Sequence, residues 1–302
     1  MIRTKAGAAT LSIVSNSTLI GLKLAAGAIT GSIALITEAI HSAIDLVASV
    51  VALISVRRAD VPPDVEHPYG HEKVENLAAA IEGMLILVSA GVIIYEATRR
   101  LVTGAEIESL GVGIAVITFS CVANIGVSAF LYRRARALDS PALEGDAAHL
   151  RADALTSFGV LIGLLLVEIT GKAAFDAIAA LCVAVAIVVA GLRILTRSGR
   201  VLVDEAPPPE ELDRIEAAIA SERRHHPEIA GYHKLRARRA GARRHIDLHL
   251  QFVSGTTLEH AHTVAHHVRS AIEREIRNAD VLIHVEPQDS VKPERAEPFR
   301  SG

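Results

Sequence analysis

Residues 33–56 read IALITEAIHSAIDLVASVVALISV. At about 1.5 Å per helical residue, such a run crosses the roughly 30 Å hydrocarbon core of a bilayer. It is not uniformly apolar, because Glu38, His41 and Asp45 lie within it. Ionisable groups are costly in lipid and mark function by default. His41 and Asp45 are four residues apart and therefore share one helix face.

Working outward, five more stretches have the same character: 8–29, 77–101, 109–132, 141–170 and 174–197. The fifth span has its own start signal, Ser140 as N-cap and Pro141 at the first helical position. Half of the 302 residues are hydrophobic, too many for an ordinary soluble chain of this size. The basic N-terminus imitates a signal peptide, but Ser12, Ser15, Asn16, Ser17 and Thr18 interrupt it, so it reads as the first span. Lys and Arg gather on one set of flanks, with Arg57, Arg58, Arg133, Arg134 and Arg136 among them. Only Arg99, Arg100 and Lys172 lie on the other. That asymmetry places both termini in the cytoplasm.

The composition changes near Val203–Pro209, where Pro207-Pro208-Pro209 forms a stiff spacer. Three segments are expected: a transmembrane domain 1–203, a cytoplasmic domain 204–290 and a disordered tail 291–302. In the cytoplasmic part, 208–224 and 257–276 read as helices. Residues 232–239 and 245–253 alternate like strands about the turn Ala240-Gly241, and 281–285 is a third strand. The fold class is thus an all-α six-helix transmembrane domain followed by a small α+β domain of order α-β-β-α-β, similar to metal-chaperone domains. The net charge of −3 argues for no nucleic-acid partner. Cys121 and Cys182 sit in apolar runs and read as core residues, not as metal ligands or a disulfide.

The fifth span repeats the pattern of the second, with His149 and Asp153. His41 and His149 fall about 12 Å, and Asp45 and Asp153 about 18 Å, into spans of opposite direction, so the two pairs meet near mid-membrane. Two imidazoles and two carboxylates suit a tetrahedral borderline ion, zinc before cobalt or cadmium, and disfavour magnesium or calcium. The carboxylates neutralise a divalent ion and take up protons when it leaves, a basis for metal–proton antiport. The bland alternative is hydrogen bonding between packed helices, and the matched pairs weigh against it. Asn16 and Asn124 read as interhelical hydrogen-bonding residues. Lys23 reads as a snorkelling lysine. Asp176 reads as a helix cap first and a cavity residue second.

The loop between the second and third spans is dense in ligand types. Asp64, His67 and His71 form either an exposed metal site or a solvated polar loop. In the cytoplasmic domain His233, His249, His262 and His284, with Glu286, fall on strand edges and one helix. Arg236, Arg238, Arg239, Arg243 and Arg244 read as a solvated or phospholipid-facing edge.

From Ser12 to Pro287 the chain resembles the cation diffusion facilitators, proton-coupled zinc exporters. The motifs that carry this are N-x-x-L-x-x-x-K at Asn16–Lys23, GSIALITEAIHSAID at Gly31–Asp45 and HPYGHEKVE at His67–Glu75. HLRADAL at His149–Leu155 and HVEP at His284–Pro287 complete the set. The resemblance implies a homodimer in a bacterial inner membrane, moving Zn2+ by alternating access with protons as counter-ion and no organic cofactor. It implies a transport site of His41, Asp45, His149 and Asp153, and a loop site of Asp64, His67 and His71. A zinc-binding, regulatory site between subunits would use His233, His249, His262, His284 and Glu286. A salt-bridge interlock near the dimer interface would join Lys73 to Asp204. Glu286 stands where the family commonly has Asp, and Glu38 where many members have Asp. Other readings are the same fold carrying cobalt, cadmium, nickel or iron, and a non-transporting metal sensor or assembly partner. A membrane metalloenzyme would need an open coordination position and a catalytic box, and neither is in the sequence.

Overall fold

A computed structural model describes residues 4–30, 33–103, 111–172 and 174–290. Side chains 33–38, 40, 41 and 44 in the second helix lie outside the described ones. The chain divides into two units, Met1–Gly199 and Arg200–Gly302.

The first unit is six long helices: α1 (Lys5–Thr30), α2 (Ile33–Ala59), α3 (Lys73–Thr103), α4 (Gly111–Leu138), α5 (Pro141–Thr170) and α6 (Ala174–Leu202). Among the described residues five of them, α1 and α3 to α6, are long and apolar enough to cross a membrane. The α5 boundaries are set by chemistry at both ends. The Ser140 hydroxyl accepts from the Leu143 amide at 3.4 Å, Pro141 opens the helix, and Gly171 closes it in the left-handed region at φ 67°. In that conformation the Gly171 N–H satisfies the Val167 carbonyl, and a side chain would be strained.

Small residues bring these helices together. Ala8, Ala9, Ala78, Ala135, Ala142 and Ala147 are buried beside Val56, Leu131, Leu143 and Leu150. A Cβ on Gly83 would lie 3.0 Å from the Leu195 amide nitrogen, so α3 and α6 touch at close range because glycine is there. Val88, Phe119, Val122, Leu165 and Val185 point outward and are more than half exposed. In a bilayer that outward apolar surface meets hydrocarbon and costs nothing.

The second unit is α7 (Pro209–His225), β1 (Ile229–Ala240), β2 (Arg243–Phe252), α8 (Leu258–Glu275) and β3 (Ala279–Pro287), followed by a short 3-10 turn. The α-β-β-α-β order is the one the periodicity predicts. The sheet runs β1-β2-β3, with β1 antiparallel to β2 and β3 parallel to it, α8 making the crossover. Ile246, Leu248, Leu250 and Phe252 alternate along β2 onto one face. There they meet Ile215 and Ile219 of α7 and Val264, Val268 and Ile272 of α8. The intervening Asp247, His249 and Gln251 occupy the opposite face.

The arginines form no free edge. Arg239 donates to Glu211 of α7, Arg244 lies 3.5 Å from the same carboxylate, and Arg238 donates to Asp204 at 3.1 Å. The tail from 291 onward lies outside the described residues.

Candidate metal centres

Ser140 starts α5 so that His149 lies nine residues inside the helix, with Asp153 one turn further on. From α2, Asp45 reaches the same point. His149 Nε2 is 3.1 Å from Asp45 Oδ1 and 4.0 Å from Asp153 Oδ2. One ligand atom from each of the three lies within 4.8 Å of the others. Asp45 and His149 are buried, while Asp153 is 21% exposed and faces a cavity of about 380 Å3. An imidazole and two carboxylates at this spacing match a divalent ion in charge and in donor type. The His41 backbone belongs to α2, one turn before Asp45, but its side chain lies outside the described ones.

The cavity wall also holds Lys23, Asn124, Glu96, Arg100 and Asp176. Lys23 does not snorkel: it is buried and donates to Ser42 Oγ at 2.8 Å. Asp176 lines the cavity and pairs with Arg100 at 3.1 Å, which in turn lies 3.2 Å from Glu96. Asn16 joins α1 to α2 through Ser49 at 2.9 Å, as a polar interhelical residue should. Asn124 reaches the cavity, and its Oδ1 has no hydrogen-bond partner among the described residues.

On the loop, Asp64, His67 and His71 come together as a second group. The Asp64 carboxylate is 3.2 Å from His67 Nδ1 and 3.4 Å from His71 Nε2. His71 turns its Nδ1 to the Val61 carbonyl at 3.3 Å, which leaves Nε2 as the ligand atom. The backbone N–H of His67 holds the Asp64 carboxyl below its ordinary range, with smaller help from both imidazoles. A carboxylate poised as an anion beside two imidazoles suits a borderline cation.

The third group lies on the open sheet face. His233 Nε2 is 2.5 Å from Glu286 Oε1, and His249 Nδ1 is 3.2 Å from Oε2. Burial pushes the Glu286 carboxyl up, but the hydrogen bonds from His249 and His233 outweigh it and hold the group below its ordinary range. The parallel register sets His284 beside His249, with ring centroids 4.6 Å apart, and its Nε2 is 3.9 Å from Glu286.

A bulge delivers His233. Between His233 and Arg236 the β1 strand carries one extra residue against β2, and Lys234 sits at φ 53°. That kink lets Tyr232 and Leu235 both face the core while His233 faces the ligand cluster. Strict alternation over 232–239 predicts no such break. His262 does not join this cluster within one chain: it is exposed on α8, 3.2 Å from His266. Lys73 opens α3 in the first unit, and Asp204 belongs to the second.

Sequence reading missed the acidic residues around the His149 cluster. Asp146 precedes His149 by one turn and extends the motif to D-x-x-H-x-x-x-D on one α5 face, a spacing visible in the sequence. Glu75 and Glu82 are fully buried acids on α3.

Two family models match the chain. One, described as the cation efflux transmembrane domain, covers residues 9–203; the other, the cytoplasmic domain of cation efflux proteins, covers residues 207–288. An uncharacterised transporter of Synechocystis is 32% identical over 284 residues, 94% of this chain and 91% of the relative. The cation-efflux pump FieF of Serratia proteamaculans is 34% identical over 281 residues, 92% of this chain and 91% of the pump. Among solved structures, the zinc form of CzrB is 34% identical, covering 30% of this chain and 98% of its own, with a TM-score of 0.27.

Proposed function

Because the chain belongs to the cation efflux family, the cation diffusion facilitators, we propose that it exports Zn2+ in exchange for protons, as a homodimer working by alternating access. The observation that carries this is the Asp45, His149 and Asp153 cluster, buried at the wall of a cavity between membrane-length helices. With His41 the donor set becomes two imidazoles and two carboxylates, which favours zinc over harder ions. Once the ion leaves, two carboxylates in a poor solvent take its charge balance from protons, so one centre alternates between metal and protons. The cavity reaches from that centre to Arg100 and Asp176, near the last turn of α3 and the first of α6. With both termini cytoplasmic, that is the external end, and the state described is outward-facing.

The loop group Asp64, His67 and His71 is a collecting site. The cytoplasmic group His233, His249, His284 and Glu286 senses zinc, with His262 supplied by a second copy of the chain. Lys73 and Asp204 serve as an interlock near the dimer interface, in a bacterial inner membrane.

Zinc flux into proteoliposomes, with and without a pH gradient, tests the activity. Uptake should follow the gradient. Uptake of cobalt, cadmium, nickel or iron without zinc would replace the substrate, and no flux of any of them would favour a metal sensor or assembly partner. A second expectation concerns the cytoplasmic group. At roughly hundredfold excess over Kd, zinc bound only to the native state adds about 2.7 kcal/mol of stability. That zinc-dependent rise in cytoplasmic melting should vanish in His233→Ala/His249→Ala, while most of the flux survives. Complete loss of flux would make the domain part of the pathway.

A further inference from the structure

Glu82 on α3 and Asp146 on α5 are each fully buried. The Glu82 carboxylate lies against Gly145, the residue before Asp146, close enough to feel the Asp146 charge. One oxygen of Asp146 is satisfied: Ser12 donates to Oδ1 at 3.1 Å and Ser49 at 2.9 Å. The second oxygen, Oδ2, and both oxygens of Glu82 have no hydrogen-bond partner among the described residues. Three buried carboxylate oxygens without donors are expensive, because isolated ionised groups lose several kcal/mol of hydration each. No lysine or arginine among the described residues donates to either group. Lys5, a cation at this end of the bundle, is bound to Glu75 at 2.5 Å.

The backbone is shaped for this arrangement. A Cβ at Gly145 would overlap the Glu82 carboxylate, so the acid lies against bare α5 backbone, next to Asp146. Glycine there leaves room for the carboxylate and serves no turn. Asp146 lies one helical turn, about 4.5 Å along the axis, toward the α5 N-terminus from His149.

We propose that Glu82 and Asp146, with the Ser12 and Ser49 hydroxyls at their side, form an inner site for one divalent cation, distinct from the His149 centre. The donor set is oxygen alone, which suits hard ions and transient, exchangeable occupancy. The His149 centre, the loop group and the cytoplasmic group all contain imidazole. Under the orientation proposed above, the inner site lies on the cytoplasmic half of the ion's route. The binding claim itself holds whichever ion the protein carries.

Mn2+ is the probe, added to the purified full-length protein and read by pulsed electron paramagnetic resonance. A manganese ion held by imidazole shows nitrogen modulation; one held by carboxylates and hydroxyls does not. One ion per chain without nitrogen modulation is expected, and it should disappear in Glu82→Gln and in Asp146→Asn, while the nitrogen-coupled ions persist. If Glu82→Gln gives no folded protein, Asp146→Asn alone decides, since it keeps an oxygen for both serine donors. Persistence of the nitrogen-free ion in these variants would overturn the site, as would its absence from the unmodified protein. An infrared signature of protonated carboxyls, lost in both variants but unmoved by Mn2+, would overturn it in favour of bound protons. Zinc flux measured on the same preparation separates failure of this site from failure of the transport reading.

Discussion

Asp153→Ala should reduce zinc flux to the leak of empty vesicles, a fall of more than about 100-fold. Removing an outer-shell partner of a metal ligand already costs roughly 10- to 100-fold, and Asp153 is assigned as a direct ligand. The charge argument points the same way. Asp45, His149 and Asp153 present two negative charges to a divalent ion in a buried place. Without Asp153 one positive charge stays uncompensated where water is scarce. Asp153→Asn keeps the shape and removes only the charge, so it should lose nearly as much. Asp45→Ala should behave alike, because its Oδ1 is the carboxylate oxygen nearest His149, at 3.1 Å. Size-exclusion chromatography of each variant checks that it assembles as the unmodified protein does. Near-normal flux with that assembly intact would sink the assignment.

Lys5→Met should cost about 3–5 kcal/mol of stability, the usual effect of removing one partner from a buried ion pair. Glu75 is 1% exposed, and Lys5 lies 2.5 Å from its Oε1. Its other oxygen accepts from the Ser140 hydroxyl, the N-cap of α5. Three helices, α1, α3 and α5, are therefore pinned at one carboxylate. Without the lysine that carboxylate keeps a single neutral donor and no counter-charge. Thermal melting in detergent should register a drop on the order of 10 °C, at roughly 2–4 °C per kcal/mol for a unit of this size. Lys5→Met/Glu75→Gln should recover most of it, since the pair together is worth less than the orphaned charge. A double variant as unstable as the single would show that packing by Lys5, not its charge, was lost.

The helices and the cluster of Asp45, His149 and Asp153 were legible because the H-x-x-x-D pairs are local patterns. Ser140, Pro141 and Gly171 punctuate α5 within a residue or two of its ends. The loop trio lies within eight residues of sequence, and spacing alone brought it to notice. The meeting of Asp146 with Glu82 was not legible in the same way. Asp146 stands at a visible spacing from His149, but Glu82 is a lone acid in an apolar run, and only the facing of α3 toward α5 brings the two together. Lys5 illustrates a different limit. On the flank of a span it counts toward orientation, and nothing nearby in sequence reveals Glu75 seventy residues away. Arg238, Arg239 and Arg244 read as an exposed edge for the same reason: their acids, Asp204 and Glu211, belong to a distant segment.

The bulge at Lys234 sets what lineages of this protein can tolerate as insertions and deletions. Lys234 is a residue β1 can lose without a change of side, since His233 would still face His249 and Leu235 would take the place opposite Leu248. One residue added within β3 ahead of His284 would move His284 to the place of Val285, on the other face of the sheet. Loop tips elsewhere in this domain are free to drift in length; within β1 and β3 a change of one residue away from the bulge is not tolerated, because strand parity there decides between ligand and core.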